Sequence, residues 1–295
     1  MERQPEPVDY LALLSLAILW GSAFLFIELA LRSFEPLTVA GGRIGLGALM
    51  LLGFALINRS LGDISRRDLA YLAAGGLTGS TVPFALVAWG QQEVTSATAA
   101  ILISFTPIAT MVLGQVMTHD ERITWHRLGG AALGIAGVAV LVGGPGPGTS
   151  AWRMLAIVVA ASCYGISGLL FRRVEHLRPS ATAGASMTCA AAVIVPAALI
   201  FEDPLAADAR LDAVLAVAAL GLLPTATATI IMVRLLYRTS ATFVSFNNFL
   251  IPVMGSIMGV LILDESFTGV QAAGLAFILA GLALARRPRR RARLA

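Results

Sequence analysis

The sequence predicts an all-α integral membrane protein, with ten transmembrane helices arranged as two inverted five-helix repeats. Three observations predict it. The 295 residues are 57% hydrophobic and only 13% charged, with mean hydropathy +0.82, whereas soluble domains run near a quarter charged. The apolar residues fall into ten long runs. One long phrase, beginning "TSAT", is stated at Thr95 and again at Thr239.

A membrane-crossing helix needs about 20 apolar residues at roughly 1.5 Å rise each. Span 1 covers 10–31 and carries Trp20-Gly21 and, in its last turn, Glu28. Span 2 covers 36–57 and holds Arg43 between Gly41 and Gly45. Span 3 (69–90) contains Pro83 and ends at Trp89, and span 4 (96–117) contains Pro107 and Gln115. Span 5 (124–142) follows Glu121 and carries Gly130 and Gly134. Span 6 (154–171) holds Cys163 and Tyr164-Gly165, and span 7 (180–201) holds Cys189. Span 8 (213–233) contains Pro224 with Thr225, Thr227 and Thr229. Span 9 (240–263) carries Asn247-Asn248, Pro252, Gly255 and Gly259. Span 10 (268–285) follows Glu265 and opens on Thr268 with Gln271, the spacing of a capping box. These runs are twice the length of a barrel strand and apolar on every face, so they are helices. The opening "MERQPEPVDY" is acidic and the apolar run behind it is too long for a signal peptide. Two cysteines inside spans imply thiols rather than a disulfide framework.

The arginines set the orientation, since there is no lysine. With the N-terminus cytoplasmic, 17 arginines lie inside, while Arg32, Arg153 and Arg210 lie outside. That bias places both termini in the cytoplasm. The sequence pI near 9.7 then reflects topology and not nucleic-acid binding. The basic tail "RRPRRRARLA" is expected to lie against anionic lipid.

Between Thr95–Ala139 and Thr239–Ala283, 14 of 45 positions are identical without a gap. The same offset of 144 pairs Trp20-Gly21 with Tyr164-Gly165. The repeats are expected over 9–143 and 152–286, with a turn-rich linker at 144–151 and a cytoplasmic tail at 287–295. Because each repeat has an odd number of spans, the second must cross the membrane upside down. Two inverted copies can adopt a shape and its near mirror across the bilayer, so that a central site faces either side in turn. The structural alternative is a duplication that only enlarged a stable bundle.

"LAILWGSAF" followed by "EPLTVAGGRIGLGALML" resembles the opening of an EamA-type half. "TSATAAILISFTPIATMVLGQVMTHDERITWHRLGGAALGIAGVAVLV" resembles its close. The chain is therefore similar, from about Leu11 to Ala285, to the EamA branch of the drug/metabolite transporter superfamily. The resemblance implies two EamA halves, export of small metabolites such as amino acids or their relatives, and the plasma (inner) membrane of a prokaryote. Many members carry a basic residue near the position of Glu28, where this chain is acidic. Arg43 matches the family's arginine in span 2, but the second half has none at the matching place, so the expected site is asymmetric.

Arg43 is the sharpest single feature. It lies about 7 residues into span 2, roughly 10 Å below the outer surface at helical rise. It is expected to hold a substrate carboxylate or phosphate, to pair structurally with Glu28, or to snorkel outward. Trp20, Trp89, Tyr164, Asn247 and Asn248 are further candidates for substrate contact. Helix–helix contact is the bland alternative for each, and the outer interfacial belt is another for Trp89. Pro83, Pro107, Pro224 and Pro252 each remove a backbone N–H and free the carbonyl four residues earlier, marking helix breaks that gate a site or merely curve a helix. Glu121 and Glu265 are expected to serve the N-termini of spans 5 and 10, with a gate charge as the functional alternative. No HExxH, Walker loop, GxSxG or metal-spaced cluster is present in the sequence. The expectation is a secondary transporter with no enzyme activity, cofactor, metal or nucleic-acid partner. Importer or exchanger on the same fold, or a non-transporting sensor or assembly protein, are the alternatives. A polar pocket shared by both halves would separate transport from scaffolding.

Overall fold

The computed structural model describes residues 5–62, 64–117, 125–143, 150–204, 209–239 and 241–285. Among these the chain is helical, with no strand. The first half contains α1 (Pro7–Ala30), α2 (Pro36–Ile57), α3 (Arg66–Gly76), α4 (Val82–Gln91), α5 (Ser96–Ile103), α6 (Thr106–Met117) and α7 (Trp125–Gly143). The second contains α8 (Ala151–Phe171), α9 (Pro179–Phe201), α10 (Leu211–Leu220), α11 (Ala228–Arg238), α12 (Ala241–Val244), α13 (Asn247–Leu263) and α14 (Gly269–Ala285). Proline stands at the start of α1, α2 and α9, where its missing N–H costs nothing.

Among the described residues, seven helical stretches are long and apolar enough to cross a membrane, three of them, Arg66–Gln91, Ser96–Gly114 and Leu211–Leu235, each joining two of these helices; three shorter apolar helices, Leu128–Val142, Asn247–Leu263 and Gly269–Ala285, accompany them. The helices of the expected spans 3, 4, 8 and 9 are irregular. π segments at Leu77–Thr81 and Gly221–Thr227 join α3 to α4 and α10 to α11, and they begin 144 residues apart. Turns at Ser104–Phe105 and Ser245–Phe246 separate α5 from α6 and α12 from α13. The second of these turns is why Asn247–Leu263 is shorter than the run of apolar residues suggests. Glu121, most of the linker and the basic tail lie outside the described residues.

Packing partners are exchanged between the two halves. α1 packs on α10, α11 and α13, and its counterpart α8 packs on α3, α4 and α6. α2 packs on α9, α5 on α13, and α7 on α14. The largest buried cluster draws on both halves, including Phe24, Ile27, Val87, Ile101, Met154, Ile157, Leu220 and Ile278. In lipid, apolar contact alone does little to draw helices together, so close approach of small residues matters. The α7–α14 contact uses it twice. A Cβ on Gly281 would lie 2.5 Å from the Gly130 carbonyl oxygen, and one on Gly137 2.9 Å from the Gly274 oxygen. Gly130 and Gly274 are 144 residues apart, as are Gly137 and Gly281, so these are one contact made in both senses.

Gly281→Val should therefore separate α7 from α14 and cost about 1–3 kcal/mol by overpacking. Thermal unfolding of the purified protein in detergent should show a lowered midpoint for it. Gly53→Val, at a position where an added Cβ meets nothing within 4 Å, should leave the midpoint in place.

Candidate functional site

A cavity of about 640 Å³ lies between the halves. Its walls are largely aromatic and apolar, with Trp20, Phe24, Phe84, Tyr164, Phe171 and Met187 among them. Arg43, Ser80, Ser104, Thr225 and Asn248 supply polar groups. Lining positions recur at the repeat offset: Trp20 with Tyr164, Ile27 with Phe171, Arg43 with Met187, Ser80 with Pro224, and Ser104 with Asn248 each stand 144 residues apart. Val174, Glu175, Leu177 and Pro179 line it at one end. None of its lining residues comes from the turns at 32–35, 92–95 or 264–268. Among the described residues, it therefore opens toward the face of the 172–178 turn and is closed off from the other.

The centre of the cavity follows from one proline. Pro224 lacks an N–H, and its ring displaces the helical partner of the Leu220 carbonyl, four residues earlier. The Thr225 hydroxyl donates to that carbonyl at 2.7 Å. With its proton so committed, Thr225 Oγ1 offers its lone pairs, and Arg43 Nε donates to it at 2.8 Å. The Arg43 guanidinium carbon also lies 3.6 Å from the centroid of the Phe84 ring. Phe84 in turn meets Tyr164 edge-on at 6.3 Å. Pro107 repeats the device: the carbonyl it frees is that of Ile103, which accepts from the Thr106 hydroxyl at 2.7 Å.

Arg43 is only 7% exposed, yet among the described residues no carboxylate lies within ion-pair reach. The expected pair with Glu28 is not formed: the charges that act on Glu28 are those of Glu265 and Arg32. Magnitudes explain why none is required. Placing arginine at mid-span costs about 2.5–3.5 kcal/mol on insertion scales. A desolvated cation–π contact returns about 2 kcal/mol, and a hydrogen bond to a charged group about 1.5–3 kcal/mol. Phe84 and Thr225 together offset the insertion cost, and the terminal nitrogens stay uncommitted.

Of the other candidates, Trp20, Tyr164, Asn248 and Pro224 line the cavity, whereas Trp89, Asn247, Pro83, Pro107 and Pro252 do not. Trp89 is 39% exposed and carries the Arg153 guanidinium 3.9 Å above its ring. Arg153 also donates to the Trp89 carbonyl at 2.7 Å and pairs with Glu93 at 3.2 Å. Asn247 is buried in the helix packing, and neither atom of its amide has a partner among the described residues.

The closed face holds two groups that the sequence did not single out as ties between halves. Glu265 does not serve the span it precedes. Its carboxylate accepts from Ser96 N at 2.7 Å and Ala97 N at 3.0 Å, capping α5 in the other half. Asp264 has φ 55, and this left-handed turn directs Glu265 back toward α13 and α5. The expected box of Thr268 with Gln271 opens α14 instead, and Gln271 donates onward to Thr98 at 2.8 Å. Glu202 makes the same kind of cap on α2, accepting from Leu37 N at 2.9 Å and Thr38 N at 2.6 Å. No motif announces such contacts, because each spans more than 160 residues of sequence.

The model of the EamA-like transporter family matches residues 8–143 and 151–287. The chain is 27% identical to a protein of Chlamydia muridarum named S-adenosylmethionine/S-adenosylhomocysteine transporter, over 89% of this chain and 86% of that one. It is 28% identical to a probable terminal-alkyne amino-acid exporter of Streptantibioticus cattleyicolor, over 94% of this chain and 92% of that one. It is 26% identical to the uncharacterized inner membrane transporter YedA of Escherichia coli, over 92% and 89%. A solved crystal structure shares the fold with TM-score 0.67 at 19% identity, over 96% of this chain and 97% of that one. With its family model matched in both halves, this chain belongs to the EamA-like transporter family and is a multi-pass membrane transporter.

Proposed function

We propose that the protein is a secondary exporter of small amino-acid-like metabolites, working by alternating access in the inner membrane. Ten crossings form two inverted EamA halves, 9–143 and 152–286, with both termini cytoplasmic. The observation that carries this reading is the cavity wall, where lining residues recur 144 positions apart across the two halves. A shared site built twice from oppositely threaded units is what rocking of one half on the other requires. The exchanged packing partners support the same symmetry, and the 17 to 3 distribution of arginines supports the orientation.

In that orientation the cavity opens to the cytoplasm, and the carboxylate caps of Glu202 and Glu265 hold the outer face shut. Trp20, Arg43, Tyr164 and Asn248 contact the cargo. Pro224, through its π segment, holds Thr225 and hence Arg43 in place. About 640 Å³ falls within the range of small-molecule sites, roughly 300–1,000 Å³. Two relatives are named for S-adenosylmethionine, S-adenosylhomocysteine or an amino acid, and each of these molecules carries an α-amino carboxylate.

The test is efflux from proteoliposomes loaded with the twenty amino acids and S-adenosylmethionine. At least one compound should leave faster than from protein-free vesicles, and release of none would refute the reading. Arg43→Ala should lower that efflux at least about tenfold, as loss of a buried charged partner does, while the protein still inserts. Glu265→Gln should loosen the outer face. Losing one charge-assisted hydrogen bond costs about 1.5–3 kcal/mol, enough for a tenfold or larger shift toward outward opening. A cysteine at Ala97, which is fully buried, should then be labelled faster by an impermeant maleimide added outside, in a background with Cys163 and Cys189 replaced by serine.

A further inference from the structure

We infer that the cavity selects an amphipathic monocarboxylate, with the carboxylate on the terminal nitrogens of Arg43 and the apolar body against the Met187 side. The inference rests on the cavity being the cargo site. Three observations lead to it.

First, the donors of Arg43 are divided. Its Nε–H is taken by Thr225 and one face of the guanidinium by Phe84. The two terminal nitrogens donate to no acceptor among the described residues, and they belong to a side chain in the cavity wall. Their parallel N–H bonds match the two oxygens of a carboxylate. Thr225 and Phe84 fix the plane of the fork before a ligand arrives, so little order is lost on binding.

Second, the charge count favours a single negative charge. Among the described residues, Arg43 is the only Lys, Arg or His side chain that lines the cavity, and Glu175, in the turn at its open end, is the only acid. One carboxylate neutralises Arg43. A dianionic phosphate or phosphonate would carry one more negative charge than Arg43 balances within the cavity wall. An amine without an acid would meet Arg43 as a like charge. A neutral amide would leave the fork's charge uncompensated.

Third, the repeat is broken at this position. The counterpart of Arg43 at the offset of 144 is Met187, which also lines the cavity. Met187 packs with Ile44, Ala48 and Phe84 in an apolar cluster. One half therefore presents a cation where the other presents a thioether, which suits aromatic and aliphatic partners alike. The pseudo-symmetric site thus sets its lining cation beside an apolar wall, which suits a ligand with one anionic and one apolar end.

The experiment is calorimetric titration of the full-length protein in lipid nanodiscs with four probes that share a phenylalkyl body: hydrocinnamate, hydrocinnamamide, phenylpropylamine and phenylethylphosphonate. Hydrocinnamate should bind at least about tenfold more tightly than the other three. Arg43→Gln should reduce that preference to within about twofold, and Arg43→Lys should keep part of it, since lysine retains the charge without the fork. Four results would overturn the inference: equal binding of acid and amide, tighter binding of the phosphonate, an undiminished preference in Arg43→Gln, or no binding of the acid up to about 10 mM. The comparison of head groups on the wild-type protein stands even where Arg43→Gln fails to fold. Acid-selective binding without any flux in vesicles would remove the transport reading and leave this inference. Flux without head-group selectivity would do the reverse.

Discussion

The bond from Arg43 Nε to Thr225 organises the site, and it exists because a proline breaks a helix. In lipid every backbone polar group must find a partner. Pro224 removes the α-helical donor of the Leu220 carbonyl, the chain shifts to π register there, and the Thr225 hydroxyl donates to that carbonyl as well. A hydroxyl that has given its proton becomes a directed acceptor, and a guanidinium from the other half of the molecule meets it. The cost of an interrupted helix is turned into the positioning of a buried charge 182 residues away in sequence. Phe84 covers the remaining face of that charge, so the arginine is held firmly by neutral groups and its terminal nitrogens stay available. A structural carboxylate partner would have held it as well and left nothing for a ligand.

The same rule governs the closed face. The first N–H groups of a helix have no partner within it. At α2 and α5 they are satisfied by Glu202 and Glu265, carboxylates that belong to the opposite half. Each such cap is electrostatically favourable, because negative charge suits a helix N-terminus, and each joins the two halves and not neighbours in one helix. The cavity and the caps lie toward opposite ends of the bundle, which makes the conformation asymmetric even though its parts recur in pairs. The bundle owes its closure to a few polar ties and small-residue contacts such as Gly130 with Gly281, not to apolar burial, which lipid would satisfy equally well.

Much of this was legible in the sequence, and what was not has a common cause. The apolar runs marked the helices because length and hydropathy are properties of a segment. The repeat marked the two-fold pairing because an offset of 144 survives in the text. Arg43, Tyr164, Trp20, Asn248 and Pro224 stood out as residues out of place in lipid, and they do meet at one cavity. Depth, however, is all that position along a helix provides. Glu28 and Arg43 have similar depth, but the direction in which each points around its axis is set by packing, and Glu28 lies instead under the influence of Glu265 and Arg32. Asn247 and Asn248 differ for the same reason, one buried among helices and the other on the cavity wall. The destination of Glu265 was hidden because an acid beside a helix start reads as that helix's own cap, and that of Glu202 because an acid just past the end of α9 reads as a loop charge. The π segments were hidden because prolines show where a helical bond is lost, not which register replaces it.

The central claim is that the two halves exchange roles, so that opening at one face accompanies closure at the other. Spin labels report this directly through electron–electron distance measurements on the reconstituted protein. Glu175 and Arg234, both exposed, lie beside cavity-lining residues at the open end; Arg32 and Gln92, also exposed, lie at the closed face. The account predicts two distance populations for each labelled pair, with the long distance at one face coupled to the short distance at the other and their balance moved by cargo. One fixed distance at both faces, unchanged by any transported compound, would contradict it.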